Sequence, residues 1–533
     1  MKVQLRDPNT IMKLSRLGSF HQSKLSFLRS FLNEFKDWEY KRDLFNLDRF
    51  GYGEAVYSFK KDKRTYSLVC FANKIKDDER SDRVIATKWD AAFTLHDGVP
   101  TQKDIDRLKN EVPRQEVGRL SFKELTLSRA NKSVRVFNHV VERLSEGKQP
   151  DLELLSNVGY LYRTTAVYGS GKFGLADRFR IKNREEINGP FRLEMMLVYL
   201  VRQFTFDQVN HVAHHKNPSK SVVLDRKICK NLGIGNSTGL GMAPFIVNHP
   251  TLLNNWVMSR EIALKKIREI KIVKKKDSDL FIDCLKKSLT NITSWNTDSE
   301  YQQIKIKNLL KDIKKFIHFI DNNFDFEDEY PFNQIYLWLE EKACEECIEY
   351  VVSIMMEPYN EITNPLVSQM SSEEDKYFTI PTSRTIKDLI NIIEKKYSNI
   401  LKINFEKKQN TQNFWFISKN KEEPRLADRF EEGGSELEQP LAIARDVKKL
   451  HKKLLDTKNN STVAEFLSKN SELRHIVRRV FIVEKFPYSE IQDNTIGKNI
   501  MPIDMLRLKL SFFGALKFDP RSDKWLRICM FQG

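Results

Sequence analysis

Residues 53–61 (GEAVYSFKK), 64–74 (RTYSLVCFANK) and 83–89 (RVIATKW) alternate apolar with polar positions and are rich in Val, Tyr, Thr and Phe. A period of two in such residues predicts half-buried strands, and the charged turns between them predict a small antiparallel sheet. A helix-like run, KLSFLRSFLNEF (24–35), precedes it. Further on the period lengthens. Residues 124–146 (ELTLSRANKSVRVFNHVVERLSE) are expected to form a helix that stops before Gly147 and Pro150. The stretch VGYLYRTTAVY (158–168) returns to strand character, as does RFRIK (178–182). Pro190 opens a helix over 190–213 that is apolar almost all round, the mark of a buried helix.

Long helical patterns follow at 251–273, 279–293, 299–321 and 332–356, broken by the acidic DNNFDFEDEY (321–330). The last part mixes helices, RTIKDLINIIEKKYSNI (384–400) and EQPLAIARDVKKLHKKLLD (438–456), with strand-like INF and FWFIS. EEGGSELEQP (431–440) serves as a turn or linker. This order predicts an α+β protein in four parts. They are an N-terminal α+β unit with a small antiparallel sheet (1–120), a glycine-rich central unit (121–272), a helical unit (273–380) and a mixed C-terminal unit (381–533). A chain of 533 residues exceeds what one core usually supports.

Charge changes this picture less than its total suggests. The formal +17 divides into +17 over 1–300, −7 over 301–400 and +7 over 401–533, much of it lysine on helical faces such as IALKKIREIKIVKKK (262–276). That distribution suits solvated helices better than a continuous polyanion groove. Six scattered cysteines argue against a disulfide scaffold and for a reducing cytoplasm. The first 20 residues carry no apolar signal core, and the most apolar helical stretch, LEMMLVYLV (193–201), ends at Arg202, far short of a membrane span. No membrane association is expected.

Candidate chemistry gathers between 159 and 241, which hold nine of the twenty glycines. Gly169, Gly171 and Gly174 stand in the order G-x-G-x-x-G after a predicted strand, yet no helix opens directly after them, so the dinucleotide fingerprint fails on context. Lys172 lies inside the run without a following Ser or Thr, so a Walker loop fails too. The functional reading left is a tight loop offering backbone N–H groups and Lys172, flanked by Arg163 and Arg178, to an anion; the plainer one is a hairpin loop with solvated cations. A second cluster, Gly233, Gly235, Gly239 and Gly241 around Asn236, Ser237 and Thr238, precedes a helix pattern and offers either an anion-binding helix entry or an ordinary capped one. Arg129, Lys132 and Arg135 are predicted on one side of the 124–146 helix, where a negative partner would offset the macrodipole.

Asp207, His211 and His214 are spaced to share one helix face, suited to acid–base work with His211 oriented by Asp207, or to a metal, or simply to a solvated helix end. His249 is a second candidate base. C-E-E-C at 344–347 lacks a second ligand pair and reads as structural within a helix. The expectation is therefore a cytoplasmic enzyme for a small anionic, carboxylated or phosphorylated, substrate or a phosphorylated cofactor, with reaction type, cofactor and metal unassigned. The alternative is an RNA- or single-strand-binding protein. It rests on the charge excess and on Phe512, Phe513, Phe518 and Trp525 interleaved with Lys517, Arg521, Lys524 and Arg527.

Overall fold

A computed structural model describes residues 1–35, 38–61, 63–76, 88–112, 121–168, 183–188, 191–237, 249–370, 378–407, 440–492, 502–514, 517–518 and 527–530. It divides into two compact units. One comprises Met1–Ser26, Thr238–Phe512 and Pro520–Leu526; the other comprises Phe27–Ser237, Phe513–Asp519 and Arg527–Gly533. With a mostly antiparallel sheet and separate helices, the fold is α+β.

Among the described residues, the second of these units is built on a nine-stranded sheet in the order β1-β2-β3-β4-β5-β6-β7-β9-β8. The strands are β1 (Glu39–Leu47), β2 (Gly53–Lys61), β3 (Arg64–Ala72), β4 (Ala91–Asp97), β5 (Glu124–Lys132), β6 (Tyr160–Tyr168), β7 (Gly233–Ser237), β8 (Lys517–Phe518) and β9 (Arg527–Met530). The predicted strands at 53–61 and 64–74 are there, and the sheet extends well beyond them. Every neighbouring pair runs antiparallel except β6 and β7, which run parallel.

Alternation along these strands gives the sheet two apolar faces. Val56, Val69, Phe71, Ala92 and Leu127 meet Ile105, Leu108 and Val112 of and beside helix α2 (Gln102–Glu111) on one face. On the other, Tyr57 and Phe93 meet Phe204 of helix α4 (Arg192–Lys216), which packs across β3 to β7. Helices α1 (Phe27–Phe35) and α3 (Val134–Ser145) pack against α4. With sheet on one side and helices on others, α4 is buried on most sides over Leu193–Val201, as the sequence predicts, whereas its C-terminal third carries polar side chains and His214, His215 and Lys216 are exposed. It begins at Arg192, after Phe191 in the left-handed region (φ 57°), and continues to Lys216. Pro190 lies outside the described residues.

The expected helix over 124–146 is a correction: residues 124–132 form strand β5, and only 134–145 are helical. The helix pattern was carried by the second half, VRVFNHVVERLS, whereas ELTLSRANK has the period of two that pairing with β4 and β6 uses. Likewise the pattern at 332–356 is two helices, Pro331–Lys342 and Glu345–Met355, and INF at 403–405 is not a strand. The strand-like 178–182 and 414–418 and the linker 431–439 lie outside the described residues.

The other unit is helical, and its N-terminal segment is anchored by a buried charge network. Arg6 donates to both oxygens of Glu261 on helix α5 (Pro250–Arg268), at 2.8 and 2.7 Å, and to Glu349 of helix α6 (Glu345–Met355), at 2.7 Å. Arg16 and Arg260 lie 3.5 and 3.8 Å from the same Glu349. Arg507 of helix α7 (Pro502–Phe513) donates to the carbonyls of Ser15 and Gly18 at 3.1 and 3.0 Å. A Cβ at Gly18 would sit 2.6 Å from the Arg507 Cβ, so only glycine lets the segment pass this close. Phe512 of α7 packs edge-on against Trp256, so this aromatic serves the core. No described helix is long and apolar enough to cross a membrane.

Burial raises the Glu349 carboxyl, but the positive charges of Arg6 and Arg260 more than reverse this and hold it below its ordinary value. Its stabilisation is therefore complete above the usual carboxylate value and lost as pH falls through the depressed one. Glu349→Ala, which strips three buried guanidiniums of a counter-ion, is expected to cost about 3–5 kcal/mol. Calorimetry should show a lowered melting transition; a midpoint equal to wild type would refute the anchoring role.

Candidate anion site at the β6–β7 junction

Strand β6, YLYRTTAVY, is dense in aromatic and β-branched residues, which explains its place between two neighbours. Its register sets Arg163 beside Asn131 of β5 on one side and Gly235 of β7 on the other; Thr164 lies between Ala130 and Asn236. Cross-strand partners project from the same face of a sheet, with Cβ atoms about 4.5–5.5 Å apart in antiparallel pairs. Arg163 is buried, and the Thr164 hydroxyl donates to the Gly235 carbonyl at 3.3 Å. Gly235 has a local reason to be glycine, since a Cβ there would lie 2.7 Å from the Tyr160 ring.

Because β6 and β7 are parallel, both leave the sheet at the same end. The segment with Gly169, Gly171, Lys172, Gly174 and Arg178 follows Tyr168, and Thr238, Gly239 and Gly241 follow Ser237. Those residues themselves lie outside the described ones. What the structure adds is that the two glycine-rich stretches are rooted on adjacent strands, with Arg163 and Asn236 in the same two strands. Gly233 belongs to β7 as well, its N–H donating to the Gly159 carbonyl at 2.7 Å.

Arg129 and Lys132 are placed by a strand rather than a helix, which corrects their predicted relationship. Three residues apart on a helix they would share a side; on β5 they face opposite ways. Arg129 falls on the face of Asn131 and hence of Arg163, with its guanidinium 5.1 Å from the centre of the Trp89 ring. Lys132 points to the other face, its ammonium over Tyr52 and Phe137 at 4.8 and 4.6 Å. Asp90 clamps the strand end. Its carboxylate accepts from the Lys132 N–H at 2.9 Å, and its own N–H donates to the Asn131 side chain at 3.4 Å. Asn131 and Asp90 were not legible as site residues, because only strand pairing brings them beside Arg163.

The histidine candidates on α4 do not join this group. His211 Nε2 donates to the Asp48 carbonyl at 2.9 Å, while Gln208, one turn earlier, donates to the Gly51 carbonyl at 2.7 Å. Together they hold the β1–β2 turn. Asp207 accepts from the Tyr57 hydroxyl at 2.8 Å and from Gln203 at 3.1 Å, and it does not orient His211. His214 contacts Ser221 at 3.3 Å. Strand β2, beside that turn, and β6 are four positions apart in the sheet, roughly 19 Å along it at about 4.8 Å per strand. His249 is the N-cap residue of α5 in the helical unit. Among the described residues no three His, Cys, Asp or Glu side chains gather in a metal-binding group.

Cys344 and Cys347 are not inside one helix. Cys344 caps α6, its N–H donating to Asp312 at 2.9 Å, and Cys347 is buried in the first turn. Burial, with nearby Glu346 and Asp312, pushes the Cys344 thiol up to about 12.

Compared with protein-family models, with curated proteins and with solved structures, the chain matches none of them.

Two outcomes follow from this geometry. Gly235→Ala should destabilise the sheet unit by about 1–3 kcal/mol through overpacking against Tyr160, and Tyr160→Leu in the same protein should recover part of the loss. Thermal unfolding of the two single variants and the double variant measures this; strictly additive losses would contradict the contact. Cys344 should stay a thiol at pH 8 and react with iodoacetamide far more slowly than free cysteine, as mass spectrometry of the labelled peptide would read; a rate matching free cysteine would refute its raised value.

Proposed function

We propose that the protein is a cytoplasmic enzyme that binds a small anionic, carboxylated or phosphorylated, substrate or a phosphorylated cofactor where β6 and β7 end. The observation that carries this reading is the parallel pairing of these two strands, which roots both glycine-rich segments at one end of the sheet. Ligands of α/β sheets collect beyond the carboxyl ends of parallel strands, where backbone N–H groups of the departing loops are free to point at a negative charge. In this reading Arg163 and Arg129 supply positive charge from the sheet face, and Lys172 and Arg178 supply it from the first loop. Asn236, Ser237 and Thr238 give hydrogen bonds, and glycines 169, 171, 174, 233 and 235 permit close approach. His211 is engaged by the Asp48 carbonyl and is not assigned as the proton carrier. Cys70, Cys229, Cys284, Cys344 and Cys347 are free, which suits a reducing compartment.

The test is a thermal-shift screen of phosphate, nucleotides and small carboxylates against wild type and Lys172→Ala. A ligand that binds only the folded state adds about 2.7 kcal/mol at a hundred times its Kd. One class of anion should raise the wild-type midpoint clearly and that of Lys172→Ala less. Equal responses of both proteins to every stabilising anion would remove Lys172 from the site. Nanomolar binding of a labelled single-stranded RNA, kept at about 150 mM salt, would replace the enzyme reading with the nucleic-acid one, because non-specific attraction alone is far weaker there.

A further inference from the structure

On strands β2 to β5, a row of polar side chains crosses the sheet at one level and ends on the strand paired with β6. The register pairs Ser58 of β2 with Ser67 of β3, Ser67 with His96 of β4, and His96 with Glu124 of β5. Register partners share a face, and this face is the one under α2, where the row interrupts the cluster formed by Val69, Ala92 and Leu127. All four residues are buried, Ser67, His96 and Glu124 to within 1% of full burial.

The ends of the row are satisfied. Ser58 donates to Asp43. Glu124 accepts from Arg107 of α2 at 2.7 Å and from the Ser121 hydroxyl at 2.7 Å. The middle is different. The His96 Nδ1 lies 3.2 Å from the Gly98 carbonyl, which can only accept, so Nδ1 carries the hydrogen. In a neutral ring that leaves a lone pair on Nε2; among the described residues neither Nε2 nor the Ser67 hydroxyl has a hydrogen-bond partner. A charged oxygen, Glu124 Oε1, lies 3.9 Å from Nε2. That separation is too long for a direct hydrogen bond, and two acceptors facing each other in a dry interior repel.

We infer that Ser67, His96 and Glu124 form an enclosed site for one small neutral hydrogen-bond donor, a water molecule, held between the imidazole Nε2 and the carboxylate. Two hydrogen bonds of about 2.8 Å span acceptors 3.9 Å apart at roughly a right angle, within reach of the two hydrogens of one water. The Ser67 hydroxyl, next along the row, gives such a molecule its third partner, and three partners are what buried waters typically have. The chemistry excludes an anion, because both flanking groups accept. A monovalent cation would be repelled by the Arg107 guanidinium, 2.7 Å from the same Glu124. The site ties β3, β4 and β5 to α2 through Arg107 and thus fixes one end of the sheet.

The test is long-range 1H–15N spectroscopy of 15N-histidine-labelled full-length protein at pH 7, with His96 assigned by the signal lost in His96→Gln. Should that variant not fold, the assignment comes from the signal that moves in Ser67→Ala. The expected result is the neutral Nδ1–H tautomer, an Nε2 shift typical of a hydrogen-bond acceptor, and a water cross-relaxation peak that Ser67→Ala weakens or abolishes. A protonated Nε2 would overturn the inference in favour of direct His96–Glu124 pairing. An Nε2 shift without hydrogen bonding and without a water peak would overturn it in favour of an empty, unsatisfied site.

Discussion

One parallel pairing in an otherwise antiparallel sheet shapes the sheet unit. Antiparallel neighbours can be joined by short turns, whereas the return from the end of β6 to the start of β7 must cross the length of the sheet. The chain makes that return through α4, whose 25 residues are long enough to pack across β3 to β7. The same constraint makes the first half of α4 apolar on most sides, since the helix packs on the sheet and against α1 and α3. It also aligns the exits of β6 and β7, and this alignment gives the glycine-rich stretches a common origin that their separation in sequence hides.

The helical unit depends on a different balance. Arg6, Arg16 and Arg260 share Glu349, and Arg6 also grips Glu261, so charges from the first turns of the chain are neutralised by helices more than 240 residues away in sequence. Such a network is costly to bury and costly to break, which makes it a specifier of one arrangement more than a source of net stability. Arg507 donates to two backbone carbonyls of the same segment, and Gly18 gives it room.

Sequence periodicity revealed β2, β3, β6, α4 and most of the long helices. It failed at 124–146, where a strand and a helix follow one another with only Ser133 between them, so one window averaged two periods. That error put Arg129 and Lys132 on one side, when strand geometry sends one toward Trp89 and the other toward Phe137. The i, i+4 spacing of Asp207 and His211 suggested a shared task. Each is instead engaged by a different neighbour, Tyr57 and the Asp48 carbonyl, neither of which a helical wheel can show. The Ser67–His96–Glu124 row was invisible for a related reason: three strands contribute one residue each, and only register makes them neighbours.

The central claim is that the segments leaving β6 and β7 serve one anion site. Hydrogen–deuterium exchange followed by mass spectrometry, with and without a saturating anion that stabilises the protein, tests it most directly. The account predicts that peptides covering 165–178 and 233–249 gain protection together at one ligand concentration. Protection confined to one of them, or appearing only elsewhere in the chain, would contradict it.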